Sequence, residues 1–116
     1  MDMNQALSAF TALSQDTRLR VFRQLVTAGD AGIAAGDLAR VLDVRQNTMS
    51  ANLAVLLHAG LVCNRREGRS IRYFVDQAGL RGLLSFLLQD CCGGHADLCC
   101  ALIEDIAGIE EVKEHG

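Results

Sequence analysis

A chain of 116 residues, half of them hydrophobic and carrying a net charge of −3, is long enough for one domain with its own core. No apolar run approaches the roughly 20 residues that span a bilayer, and the start Met1-Asp2-Met3-Asn4 has neither a basic n-region nor an apolar h-region. A cytoplasmic protein with no membrane partner is therefore expected. The charge is uneven: five arginines against Glu67 between Arg45 and Arg72 give +4, and seven acids against Lys113 from Asp90 onward give −6. A basic middle suits a phosphate backbone, and an acidic tail suits something else.

Residues Asn4 to Leu13 place Leu7, Phe10 and Leu13 at helical spacing beside the small Ala6 and Ala9, which predicts an amphipathic helix. Ser14-Gln15-Asp16-Thr17 offers capping side chains to a second helix. Its apolar stripe is Leu19, Phe22, Leu25 and Val26, with Arg18, Arg20 and Arg23 mostly off it, and Ala28-Gly29-Asp30 ends it. A short helix from about Ala35 turns Leu38, Val41 and Leu42 inward. Beyond the tight connection Asp43-Val44, a longer helix from about Gln46 to His58 buries Met49, Leu53 and Leu56 and stops at Gly60. Two helices across a short turn, the second polar on its early exposed face, form a helix-turn-helix pattern.

Leu61 to Arg66 and Ile71 to Val75 alternate as two strands around the turn Glu67-Gly68-Arg69-Ser70. A hairpin placed directly after such a helix is a wing. The expected fold is thus mainly α with a two-stranded β-hairpin, a winged helix-turn-helix. Leu80, Leu83, Leu84, Leu87 and Leu88 then repeat along one helical stripe. That stripe is too hydrophobic for a lone surface helix, so a partner subunit is expected to cover it and the protein to be a homodimer. Residues 1–90 would form the DNA-binding and dimerisation domain, with 91–116 a cysteine-rich segment and tail belonging to the same domain.

In a helix-turn-helix the second helix enters the major groove with its N-terminal residues on base edges. Those residues here are Gln46, Asn47, Thr48, Ser50 and Asn52. Asn and Gln pair bidentately with adenine, and Thr and Ser contact bases or phosphates; the plain alternative is a solvated polar face. The wing adds Arg65, Arg66, Arg69 and Arg72, and Arg45 stands at the helix start. Alternate strand positions point oppositely, so only some of these arginines can meet phosphate, Arg66 and Arg69 foremost and Arg72 as a further candidate.

Four of the five cysteines fall in Asp90-Cys91-Cys92-Gly93-Gly94-His95-Ala96-Asp97-Leu98-Cys99-Cys100. Thiols are soft donors and favour thiophilic ions. A disulfide framework suits an odd cysteine count in a chain without secretion signals poorly. Redox sensing and inert core cysteines remain as alternatives, and Cys63 is expected to be a small buried apolar residue. A thiol enzyme or a metal-handling protein without a DNA role is a different class. The chain has no Cys-x-x-Cys, no Cys–His pairing and no Gly-rich phosphate loop to support catalysis or an organic cofactor.

Leu13-Ser14-Gln15-Asp16-Thr17-Arg18-Leu19-Arg20-Val21, the stretch Gln46 to Val62, and Arg65-Arg66-Glu67-Gly68-Arg69-Ser70-Ile71-Arg72-Tyr73 resemble, in order, three parts of the ArsR/SmtB family of winged-helix metal-sensing repressors. The resemblance spans roughly residues 5 to 90. Departures are the missing prolines near Asp16 and Asn47, Arg45 where a serine commonly caps, and Ala51-Asn52 where paired histidines are common. Gly36 to Leu42 lacks the cysteines that the arsenic-sensing branch often carries there. The Asp-Cys-Cys-Gly-Gly…Leu-Cys tail resembles a second arsenic-responsive type whose three thiols lie beyond the wing. The resemblance implies Cys91, Cys92 and Cys99 as ligands, Cys100 as a spare or fourth, and As(III) or Sb(III) as effector. It also implies a double-stranded inverted-repeat operator as partner. Cadmium, lead or copper(I) are the alternative soft ions.

Overall fold

The computed structural model describes residues 1–91, 101–102 and 104–106. Its first helix, α1 (Met3–Leu13), opens on a reciprocal capping box: Gln5 N donates to Asp2 Oδ1, and Asp2 N donates to Gln5 Oε1, each at 2.8 Å. The buried face of α1 differs from the expected one. Ala6, Ala9 and Ala12 are buried, whereas Leu7 is 54% and Phe10 41% exposed. Small side chains let α1 approach its neighbours closely, and its bulky residues are left facing outward.

α2 (Asp16–Ala28) is capped by Gln15, whose side chain accepts from Arg18 N at 2.8 Å. It buries Val21, Phe22 and Leu25, while Leu19 and Val26, expected inside, are exposed. A 3₁₀ turn (Gly29–Ala31) leads through Gly32 to β1 (Ile33–Ala34), a strand of two residues that sequence reasoning missed. Gly32 has φ +63°, and a methyl built on it would lie 2.6 Å from the Tyr73 carbonyl oxygen, so only glycine fits where this strand meets the wing.

α3 (Ala35–Val41) buries Leu38 and Ala39 and leaves Val41 exposed, against expectation. The turn to α4 (Gln46–His58) passes through Asp43 at φ 54°. α4 keeps the expected bounds, burying Met49, Leu53 and Leu56. It ends in a Schellman motif: Gly60 (φ +76°) donates to the Leu57 carbonyl and Leu61 to the Leu56 carbonyl. Leu56 and Leu61 are fully buried beside that turn, each contributing about 1.5–3 kcal/mol.

β2 (Val62–Glu67) and β3 (Ser70–Val75) pair antiparallel, with Glu67 opposite Ser70, so the wing closes through the two residues Gly68-Arg69 rather than four. β1 pairs with the other side of β3, giving a three-stranded sheet in the order β1-β3-β2. The mainly α winged helix-turn-helix expected from the sequence is thus the observed fold, with one strand added. Cys63 is exposed on β2, not buried. α5 (Gln77–Cys91) starts at Asp76, whose side chain accepts from Gly79 N at 3.0 Å. A methyl on Gly79 would lie 1.8 Å from the Gly60 carbonyl oxygen, so the end of α4 and the start of α5 touch through backbone alone.

The chain divides into two compact units, Met1–Leu83 and Leu84–Gly116. The first holds every element through the start of α5. The second carries the rest of α5 and helical backbone at 101–102 and 104–106. No helix among the described residues is long and apolar enough to cross a membrane.

Candidate nucleic-acid interface

α4 has two faces of opposite character. Met49, Leu53 and Leu56 fix it to the core, and Gln46, Asn47, Thr48 and Ser50 are exposed at its N-terminal end. Arg45 occupies the N-cap position but makes no capping hydrogen bond, so its guanidinium stays exposed at the positive end of the helix. Anions are attracted to such a terminus. Asn47 Oδ1 accepts from Thr48 N at 2.9 Å, which leaves its amide NH2 uncommitted.

Asn52 does not belong to this exposed set. It is only 8% exposed; its Oδ1 accepts from Arg18 Nη1 at 3.2 Å, and its Nδ2 donates to the Thr48 carbonyl at 3.1 Å. Asn52 follows Met49 by three residues and precedes Leu56 by four, so at about 100° per residue it lies beside their buried face. The expectation that Asn52 reads bases is therefore corrected to a buried linking role.

The wing arginines divide by strand face. Arg65 lies opposite Arg72, two like charges that would repel. Glu67 resolves this: its carboxylate accepts from Arg72 Nε at 2.9 Å and from Arg65 Nη2 at 2.8 Å. Those two guanidinium groups, Arg72 first, hold the Glu67 carboxyl below its ordinary range. This ion cluster keeps its strength above the ordinary glutamate range and weakens only as pH falls through the lowered value. Arg65 also stacks over Phe74, 5.0 Å from the ring centroid. Arg72 Nη1 donates to the carbonyls of Ala31 and Gly32 at 3.1 and 3.2 Å, pinning β3 to the entrance of β1. Arg72, named above as a DNA contact, is thereby committed within the chain.

Arg66 and Arg69 are exposed and have no hydrogen-bond or ion-pair partner among the described residues. Arg66 shares the strand face of Val62 and Tyr73, which are buried toward the helices, and Arg69 stands at the tip of the wing. Glu67 was the element missed from sequence. Once a two-residue turn fixes the register, Arg65 and Arg72 must face each other, and a glutamate on that face is the signal.

Of the thiols expected to bind metal, Cys91 is the last residue of α5, and Cys92, Cys99 and Cys100 lie outside the described residues. Among the described residues no group of three His, Cys, Asp or Glu is arranged to hold a metal ion.

A sequence model for a helix-turn-helix domain matches residues 13–62, the span from the end of α1 to the first residue of β2. A putative arsenical resistance operon repressor of Halobacterium salinarum is 36% identical over 77% of this chain and 72% of its own length. An ArsR-like transcriptional regulator from Rhodococcus sp. RHA1 superposes with a TM-score of 0.66 at 33% identity, covering 90% of this chain and 93% of that one. A homodimeric winged helix-turn-helix DNA-binding domain from Mycobacterium bovis superposes with a TM-score of 0.62 at 26% identity, covering 98% of this chain and 86% of that one. With the helix-turn-helix, the wing and these likenesses in one chain, the protein belongs to the ArsR/SmtB family of winged helix-turn-helix transcriptional repressors.

Proposed function

We propose that the protein is a homodimeric repressor that binds an inverted-repeat operator when free of effector. It releases the operator when As(III) or Sb(III) binds Cys91, Cys92 and Cys99, with Cys100 as a substitute or fourth thiol. The observation that carries the DNA half is the split of α4, apolar and buried on one side, with Gln46, Asn47, Thr48 and Ser50 exposed on the other. Arg45 at the start of α4 and Arg66 and Arg69 on the wing are exposed and carry side chains uncommitted among the described residues, available as cations for phosphate. Arg69→Ala is expected to flatten the plot of log affinity against log salt by about one unit without changing sequence preference, because phosphate contacts carry no sequence information. Fluorescence anisotropy across a salt series measures it, and an unchanged slope would remove Arg69 from the interface.

The effector half rests on the donor set. Trivalent arsenic keeps a lone pair and takes three sulfurs as a pyramid, whereas structural zinc prefers four ligands in a tetrahedron. Adjacent cysteines in a helix point about 100° apart. α5 runs as far as Cys91, where the thiol pair begins, and Gly93-Gly94 supplies the backbone freedom that would let Cys91 and Cys92 converge. The arsenical-resistance name of the Halobacterium relative supports the same assignment.

Proton accounting tests it. Arsenite arrives as neutral As(OH)3, and each of three thiol protons leaves with a hydroxide as water, giving a neutral As–S3 complex with no net proton release. Zinc or cadmium must displace thiol protons instead. Calorimetry in buffers of different ionisation enthalpy is expected to show near-zero release for As(III) and clear release for the divalent ions. As(III) is also expected to free the operator at the lower concentration. Release by cadmium or zinc at lower free concentration than As(III) would reassign the site to a divalent soft ion.

A further inference from the structure

Arg18 sits in the first turn of α2, where the helix dipole disfavours a cation. Its side chain leaves that helix. Nε donates to the Ala12 carbonyl at 2.7 Å, in the last turn of α1, and Nη1 donates to Asn52 Oδ1 at 3.2 Å inside α4. Carbonyls in a last helical turn lack intrahelical partners, so the cation is stabilised there. Asn52 completes the chain by donating to the carbonyl of Thr48, one turn back toward the exposed end of α4. One guanidinium therefore joins three helices, and the link ends at a residue of the candidate reading face.

A buried amide is a costly choice for a core position that leucine could fill, unless its polar atoms are satisfied. Here both are. A leucine would pack but leave α4 free to rotate or slide by small amounts, because apolar contacts are not directional. The two hydrogen bonds fix one register.

We propose that Arg18 and Asn52 are a positioning pair for operator discrimination. They hold α4 at one rotation against α1 and α2, so that Gln46, Asn47, Thr48 and Ser50 reach base edges in a single alignment. Bidentate base contacts need that alignment, and phosphate contacts tolerate its loss. The inference rests on α4 being the reading helix.

The test compares the full-length protein with Asn52→Leu and Arg18→Lys. Lysine keeps the charge but not the fork that spans two acceptors. The probes are a duplex selected from a random pool by the wild-type protein and a scrambled duplex of the same composition. Each variant is expected to lower the preference for the selected duplex by about tenfold or more, the effect of misaligning at least one base contact. Affinity for the scrambled duplex and the salt slope should not change, and the double variant should cost no more than the worse single one.

Unchanged preference in both variants overturns the proposal. So does a salt slope reduced by about one unit in the charge-removing variant Arg18→Gln with preference retained, which would make Arg18 a phosphate contact. If either variant fails to fold by far-ultraviolet circular dichroism, Arg18→Gln decides, since it removes the guanidinium fork and leaves Asn52 and its bond to the Thr48 carbonyl in place. Preference lost there with the salt slope unchanged supports the pair, and preference retained overturns it. A wild-type protein that selects no duplex overturns the reading of α4, and the pair's role with it.

Discussion

Cys91→Ser, Cys92→Ser and Cys99→Ser are each expected to leave operator affinity unchanged and to abolish its loss on adding As(III), while Cys63→Ser alters neither. A serine hydroxyl is close in size to a thiol but is a hard, weakly acidic donor, so it does not replace sulfur on a thiophilic ion. Effector coupling in regulators of this kind is typically about 1–3 kcal/mol, a change of about 5- to 150-fold in operator affinity. Removing one of three ligands should collapse that factor to unity. Cys63 lies on β2, exposed, with its Sγ 4.0 Å from the Val75 carbonyl oxygen. The readout is operator anisotropy at increasing arsenite for each variant. A block by Cys63→Ser as strong as that by Cys92→Ser would mean that the site is wrongly placed.

Phe10→Asp is expected to convert the dimer to a monomer and to cost about 10²- to 10⁴-fold in operator affinity, the advantage that two linked half-site contacts hold over one. Met3, Leu7 and Phe10 lie on one face of α1 at i, i+4 and i+7, and all three are exposed. The neighbouring face, built of alanines, is the buried one, and this apolar stripe is left exposed among the described residues. A carboxylate at its centre would have to be desolvated in any interface that covers it. Half-sites about 34 Å apart require two recognition helices at fixed separation, which a monomer does not provide. Sedimentation equilibrium beside the binding assay separates the outcomes. A Phe10→Asp protein that remains dimeric would place the interface away from α1.

The elements themselves were legible in the sequence because local physics sets them. The apolar spacing of Met49, Leu53 and Leu56, with Gly60 behind them, determined α4 and its stop. The alternation of Ile71, Tyr73 and Val75 determined β3. The cysteine cluster and the basic middle of the chain needed no structure to be seen. Which face of an element is buried depends on how closely its neighbours approach, and periodicity does not encode that. Alanines on α1 permit a closer approach than Leu7 and Phe10 would, so packing chose the small face and turned the large one outward. β1, two residues long, carries no pattern of its own and exists only because Arg72 and Tyr73 are there to pair with it. Asn52 and Arg72 looked like DNA contacts by residue type, and Arg18 and Glu67 drew no attention. Only the fold brought Arg18 within reach of Asn52, 34 positions away, and Arg72 within reach of Ala31, 41 positions away. Long-range polar partners of that kind are decided by tertiary geometry, because a side chain's chemistry says what it can bond and not what will stand beside it.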